Sequence, residues 1–254
     1  MSLRLERKPS LFDLLRLRRR TALFAAAACA GLLLAGVAVT RAGMPTWGGT
    51  LIFLGVIAVP ASLKWRDDLV AWGAAACVLS VLLALQGFHT VEHIIQLTQF
   101  YVLNRPGIES QGLISSLNVE WVHFIWNWLA WGCIVYLVRN GMKGLWGYPL
   151  LAWVTLHSLE HTYMLIHYLH VAAELGALGL PQFGAAQVLP GILGRDGWLA
   201  NNVLICRGIP GLTSLPRVAI HFYWNIGEMT LLLLAARESL PRLIRARAAK
   251  GSRS

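Results

Sequence analysis

The residues able to do chemistry in this chain are its histidines and a few acids at fixed spacing from them. Two segments read His-x-x-Glu-His: His89, Glu92 and His93 in the first, His157, Glu160 and His161 in the second. Each is followed downstream by a second pattern, Val122-His123-Phe124-Ile125-Trp126-Asn127 after the first and Ile220-His221-Phe222-Tyr223-Trp224-Asn225 after the second. The same two patterns in the same order mark an internal duplication. On a helix, positions i, i+3 and i+4 share a face. His89, Glu92 and His93 therefore project together, as do His157, Glu160 and His161; His123 shares a face with Asn127, and His221 with Asn225 and Glu228. The two halves together offer six imidazoles and two carboxylates to one axis.

These residues lie in apolar surroundings, where an ionisable group costs ~2.5–3.5 kcal/mol or more on insertion scales. Burying so many without a cation demands extensive mutual pairing, and a divalent ion relieves that cost. Bundle cores build metal sites from facing helices in this way. The expected ligands are His89, Glu92, His93, His123, His157, Glu160, His161 and His221, with Glu92 and Glu160 as bridging ligands or catalytic proton carriers. Asn127, Asn225 and His167 are expected to support them, the asparagines by orienting ligand rings or by bonding between helices. Eight ligands suit two divalent metal ions. Imidazole with carboxylate favours iron, with copper and zinc open.

The surrounding chain is that of an all-α integral membrane protein. Its 254 residues are 56% hydrophobic and only 13% charged, with a mean hydropathy of +0.57. A soluble domain carries about 25% charged residues. Six transmembrane helices are expected, at 21–40, 47–63, 69–103, 119–138, 149–175 and 218–236, each near the ~20 residues that cross a bilayer core. Spans three and four, and spans five and six, form two parallel helix-pair repeats that together make a four-helix bundle. The chain thus divides into an amphipathic N-terminal segment (1–20), two flanking helices (21–66), a first His-rich repeat (67–147), a second (148–238, including an external loop at 176–216) and a basic tail (239–254). A cleaved leader is disfavoured, because the apolar run at 21–40 is long for one and further spans follow.

Charge orients the chain. The N-terminus, the expected turns at 64–68 and 139–147 and the C-terminal tail hold seventeen of the twenty-two lysines and arginines. The positive-inside rule then puts both termini in the cytoplasm of a multi-pass cell (plasma or inner) membrane protein. The net charge of +10 is read as this topology signal and not as a nucleic-acid surface. Cys29, Cys77, Cys133 and Cys206 form no CxxC spacing, which points away from disulfides and thiolate zinc sites. One depth estimate conflicts: His93 would lie ~36 Å from the start of span three at Leu69.

The grammar of paired and isolated histidines resembles that of the histidine-box membrane oxygenases, desaturases and hydroxylases, which hold two irons among transmembrane helices; their HxxHH boxes are absent here. The resemblance implies an oxidoreductase acting on an apolar or lipid-like substrate, with an electron-donor protein as partner and the bilayer as its setting. Three alternatives stand beside it. His157 and His170 are spaced as in two-haem b-type cytochromes, which would imply haem-linked electron transfer. Parallel repeats with intramembrane His and Glu suit metal transport or delivery. HxxEH also resembles the inverzincin motif of zinc hydrolases.

Overall fold

A computed structural model describes residues 10–17, 20–114, 118–180, 189–204 and 209–251. Cys206 and parts of the expected N-terminal segment, the 176–216 loop and the tail lie outside the described residues. Among those described the protein is all-helical: α1 (Leu11–Leu15), α2 (Thr21–Arg41), α3 (Thr46–Trp72), α4 (Ala74–Tyr101), α5 (Glu120–Arg139), α6 (Gly147–Ala177), α7 (Trp198–Asn202) and α8 (Arg217–Gly251). Five helices are long and apolar enough to cross a membrane: α2, α3, α4, α5 and residues Arg217–Ile244 of α8. The 31 residues of α6 have the length, but His157, Glu160, His161, His167 and His170 lower its hydropathy.

The expected turn at 64–68 is not a turn. Lys64 and Asp68 are one helical turn apart within α3 and form a buried ion pair at 2.6 Å. Ser80 of α4 donates to Asp68 (2.9 Å), and Lys64 donates to the Leu14 carbonyl of α1 (2.7 Å) and contacts Ser80. Charges that satisfy one another need no water, so the helix runs on through them. It breaks instead at Gly73, whose φ of 86° belongs to the left-handed region that glycine enters freely. Starting α4 at Ala74 puts His93 ~28 Å along it, which narrows the depth conflict. The basic tail also differs from expectation. Helix α8 continues to Gly251, with Leu240 and Leu243 buried in the core.

Helices α2 and α3 pair with each other, and α3 leans on α4. Within the remaining four, the main packing is crosswise: α4 lies chiefly against α8, and α5 chiefly against α6. Their interior away from the histidines is a continuous apolar core, including Leu79, Leu83, Ile134, Leu150, Val154 and Leu232. Alanines 75, 76, 130, 235 and 236 in the same core let the backbones approach closely. Indole N–H groups tie the interfaces: Trp126 donates to Gln86, Trp128 to Thr162, Trp131 to Thr155 and Trp153 to the Trp224 carbonyl, at 3.0–3.2 Å.

Candidate metal centre

The four helices bring six histidines together at the end of the bundle where α5 and α8 begin. His123 is three residues into α5 and His221 four into α8, so both descend from the loop end. His89 and His93 rise to meet them on α4, and His157 and His161 on α6. The rings form one connected network. Centroids are 4.6 Å apart for His89–His93, 5.4 Å for His93–His221, 5.3 Å for His123–His221, 4.9 Å for His161–His221 and 5.0 Å for His157–His161. All but His89 are buried. The coordinating atoms of His89, His93 and His123 all lie within 4.8 Å of one another.

Hydrogen bonds fix which nitrogen three of the rings offer. His93 Nδ1–H donates to Gln96 Oε1 (2.8 Å), His123 Nδ1–H to the Val119 carbonyl (3.1 Å) and His157 Nδ1–H to Glu228 Oε2 (2.9 Å). His161 Nδ1 faces Glu120 Oε2 at 3.5 Å. A ring whose Nδ1 carries the hydrogen leaves Nε2 as a bare lone pair, the arrangement in which outer partners orient metal-binding imidazoles. His93 Nε2 faces His89 Nε2 at 3.3 Å, so a hydrogen or a metal ion must lie between them. That separation matches the roughly 3.3 Å edge of a tetrahedron with metal–nitrogen bonds of roughly 2.0–2.1 Å. His157 Nε2 and His161 Nε2 are buried without a hydrogen-bond partner. Unsatisfied acceptors of this kind are costly.

Glu92 and Glu160 do not face these nitrogens with free oxygens. Glu92 accepts from the backbone N–H groups of Leu113 (2.9 Å) and Ile114 (3.1 Å). Glu160 accepts from those of Ile192 (3.2 Å) and Leu193 (3.4 Å). The residues before these amides are Gly112 and Gly191, where a Cβ would run into the carboxylate. Gly112-Leu113-Ile114 and Gly191-Ile192-Leu193 are therefore a third matched element of the two halves, visible in the sequence but not recognised there. Each glutamate anchors the loop that covers its half of the cluster.

The halves differ at a position beside the cluster. Four residues before His123 stands Val119; four before His221 stands Arg217. The Arg217 side chain is 7% exposed and pairs with Glu160 Oε1 at 2.8 Å. Its Nη2 donates to His221 Nε2 (2.5 Å) and contacts the Met164 sulfur. The guanidinium thus takes the lone pair whose counterpart on His123 is left to coordinate. Arg217, Glu120 and Gln96 are site residues that the motif pattern does not include. The signal for the last two was spacing: three residues before His123, and three after His93.

Among the supporting residues expected from sequence, Asn127 and Asn225 donate to the backbone carbonyls of His123 (2.8 Å) and His221 (2.9 Å) and not to a ring. Asn225 Oδ1 also accepts from Gln86 across α4 and α8 (3.4 Å). His167 lies against Tyr163, outside the six-ring network. His157 is wholly buried, but His170 is exposed and pairs with Glu174 at 3.2 Å, so it does not point into the bundle as the second ligand of a two-haem spacing would. Comparison with protein-family models, curated proteins and solved structures finds no match to this chain.

Proposed function

We propose that this chain is a membrane-embedded metalloprotein, an oxidoreductase whose metal centre acts on an apolar or lipid-like substrate. The observation that carries this reading is the convergence of His89, His93 and His123, with His93 and His123 locked by Nδ1 bonds into offering Nε2. In this reading the centre holds one ion on those three residues, and the positive Arg217 guanidinium stands where the duplicated half would take a second. With Glu92 and Glu160 bound to loop amides, the ligand set is imidazole alone, which suits copper as well as iron.

The bound ion supplies the redox chemistry that side chains lack. With dioxygen and an electron-donor protein as co-reactants, the balanced reaction is R–H + O2 + 2e⁻ + 2H⁺ → R–OH + H2O. The chain's own contribution is positional. Gln96 and the Val119 carbonyl orient the ligand rings, and the Glu92 and Glu160 clamps hold loops over the cluster against water. Metal transport is the weaker reading, because among the described residues little beyond Glu228 continues the His and Glu set into the apolar core beneath the cluster.

The wider architecture of this proposal has α6 as a sixth span, α4–α5 and α6–α8 as parallel repeats and both termini in the cytoplasm. Crosswise packing of α4 on α8 and α5 on α6 is what a two-fold axis along the membrane normal would give. The deciding experiment is metal analysis with optical spectroscopy of detergent-purified protein. One equivalent of iron or copper without a Soret band is expected. A Soret band, zinc as the sole metal, or a protein that takes up no metal would each overturn the oxidoreductase reading.

A further inference from the structure

Each His-Phe-x-Trp-Asn pattern carries a tryptophan, Trp126 in the first half and Trp224 in the second, and neither side chain can bind a metal ion. Both lie against the first histidine of their own half. Trp126 is 5.5 Å from His89 and tilted to it by 47°; Trp224 is 5.2 Å from His157, with the rings within 6° of parallel. Beyond that contact the halves part. Trp126 donates its Nε1–H to Gln86 (3.2 Å). Trp224 leads on to Trp153 of α6, 4.9 Å away and edge-on, and among the described residues its buried Nε1 has no acceptor.

A continuous line of rings therefore joins His123, a ligand of the proposed ion, to Trp153. His123 stacks on His161 (5.2 Å, 12°), His161 meets His157 (5.0 Å), His157 stacks on Trp224, and Trp224 meets Trp153. Each separation is that of aromatic rings in contact. His123, His161, His157 and Trp224 are buried, and Trp153 is half-buried. Indole is among the most readily oxidised side chains, and rings in contact give an electron a short path. An oxidised Trp224 would have no acceptor for its Nε1 proton, so it returns by taking an electron, as a relay must. Trp126, by contrast, has a hydrogen-bond partner where Trp224 has a second indole.

We infer that Trp224 and Trp153 form an electron relay to the metal centre, bridged by His157 and His161. When dioxygen has oxidised the centre and no substrate is in place, Trp224 gives the centre one electron and becomes an indole cation radical. Trp153 gives one electron to Trp224, and the electron-donor protein restores Trp153. No bond forms or breaks in these steps and no proton moves. The relay discharges an oxidised centre that has nothing else to attack, and it gives the second pair of histidines a use without a second ion. It rests on the metal-centre reading.

The test is mass mapping of hydroxytryptophan in the full chain, metal-loaded and metal-free, after brief exposure to hydrogen peroxide without substrate or electron donor. Metal content is measured on the same samples. Without a donor the radical is trapped, with the net change indole + H2O2 → hydroxyindole + H2O. Product should collect at Trp224 and Trp153 in the loaded protein alone, ahead of Trp121 and Trp198, which are 47% and 45% exposed. Freeze-quenched loaded protein should show an electron paramagnetic resonance signal that narrows when the tryptophans are ring-deuterated. Trp224→Phe should lose that signal and the product at Trp153, Trp153→Phe should confine product to Trp224, and both should keep their metal. Oxidation that follows exposure, that is confined to Trp126, or that is the same without metal would overturn the relay. If Trp224→Phe fails to fold, Trp153→Phe and the comparison of loaded with metal-free protein decide. A protein that takes up no metal would sink the metal-centre reading and the relay with it; metal uptake with any of those three oxidation patterns would sink the relay alone.

Discussion

At the scale of single residues, the site is defined by which nitrogen each ring presents. His93 depends on Gln96 for this, and loss of such a partner typically costs 10–100-fold in metal affinity. Gln96→Leu is therefore expected to weaken metal binding by roughly 10–100-fold in a competition titration, with the protein still folded. His93→Ala should lose the metal outright, whereas His161→Ala should retain it. Loss of metal in both would restore the two-ion arrangement expected from the sequence. Arg217 gives the sharpest contrast, because its counterpart in the other half is Val119. Removing the guanidinium frees His221 Nε2 and withdraws a positive charge, so Arg217→Val should raise the metal content toward two equivalents. An unchanged count would show that Arg217 is not what holds the second half empty.

At the scale of elements, the glutamates of the two HxxEH segments join helix to loop. Glu92 satisfies two backbone N–H groups that would otherwise be buried without partners. Leaving such groups unsatisfied costs about 1–3 kcal/mol. Glu92→Ala should accordingly lower unfolding stability by about that amount while metal content holds; metal loss at unchanged stability would make Glu92 a ligand after all. Gly112 faces two constraints at once, a φ of 70° and the absence of room beside the carboxylate. Gly112→Ala should destabilise the same loop and speed its proteolysis, with little effect on the helices. The spacing of Glu92 from His89 and His93 was legible in the sequence. Its partner was not, because the amides it binds lie some twenty residues downstream in a loop whose path no helical periodicity fixes.

At the scale of the molecule, the helix carrying each His-x-x-Glu-His segment packs chiefly against the His-Phe-x-Trp-Asn helix of the other pair, α4 on α8 and α6 on α5. This crosswise exchange is what brings all the rings to one place, since neither half alone closes the network: His93 meets His221, and His123 meets His161. Fusions reporting on each terminus are expected to place both on the cytoplasmic side, the outcome the distribution of lysine and arginine favours. Opposite sides would mean that α6 does not cross the membrane and that the repeats are not parallel.

The sequence by itself determined the all-helical membrane class, the doubled motif and the helix faces on which the histidines sit. These follow from composition and from a 3.6-residue period, both local properties. Only the tertiary structure decided that Lys64 and Asp68 are a buried pair within one helix, that Glu92 and Glu160 bind loop amides, and that Arg217 lies among the imidazoles. Each of those outcomes depends on the partner a neighbouring helix or loop delivers. A side chain's face is fixed by its own helix, but its hydrogen bond is fixed by whatever the rest of the chain packs against it.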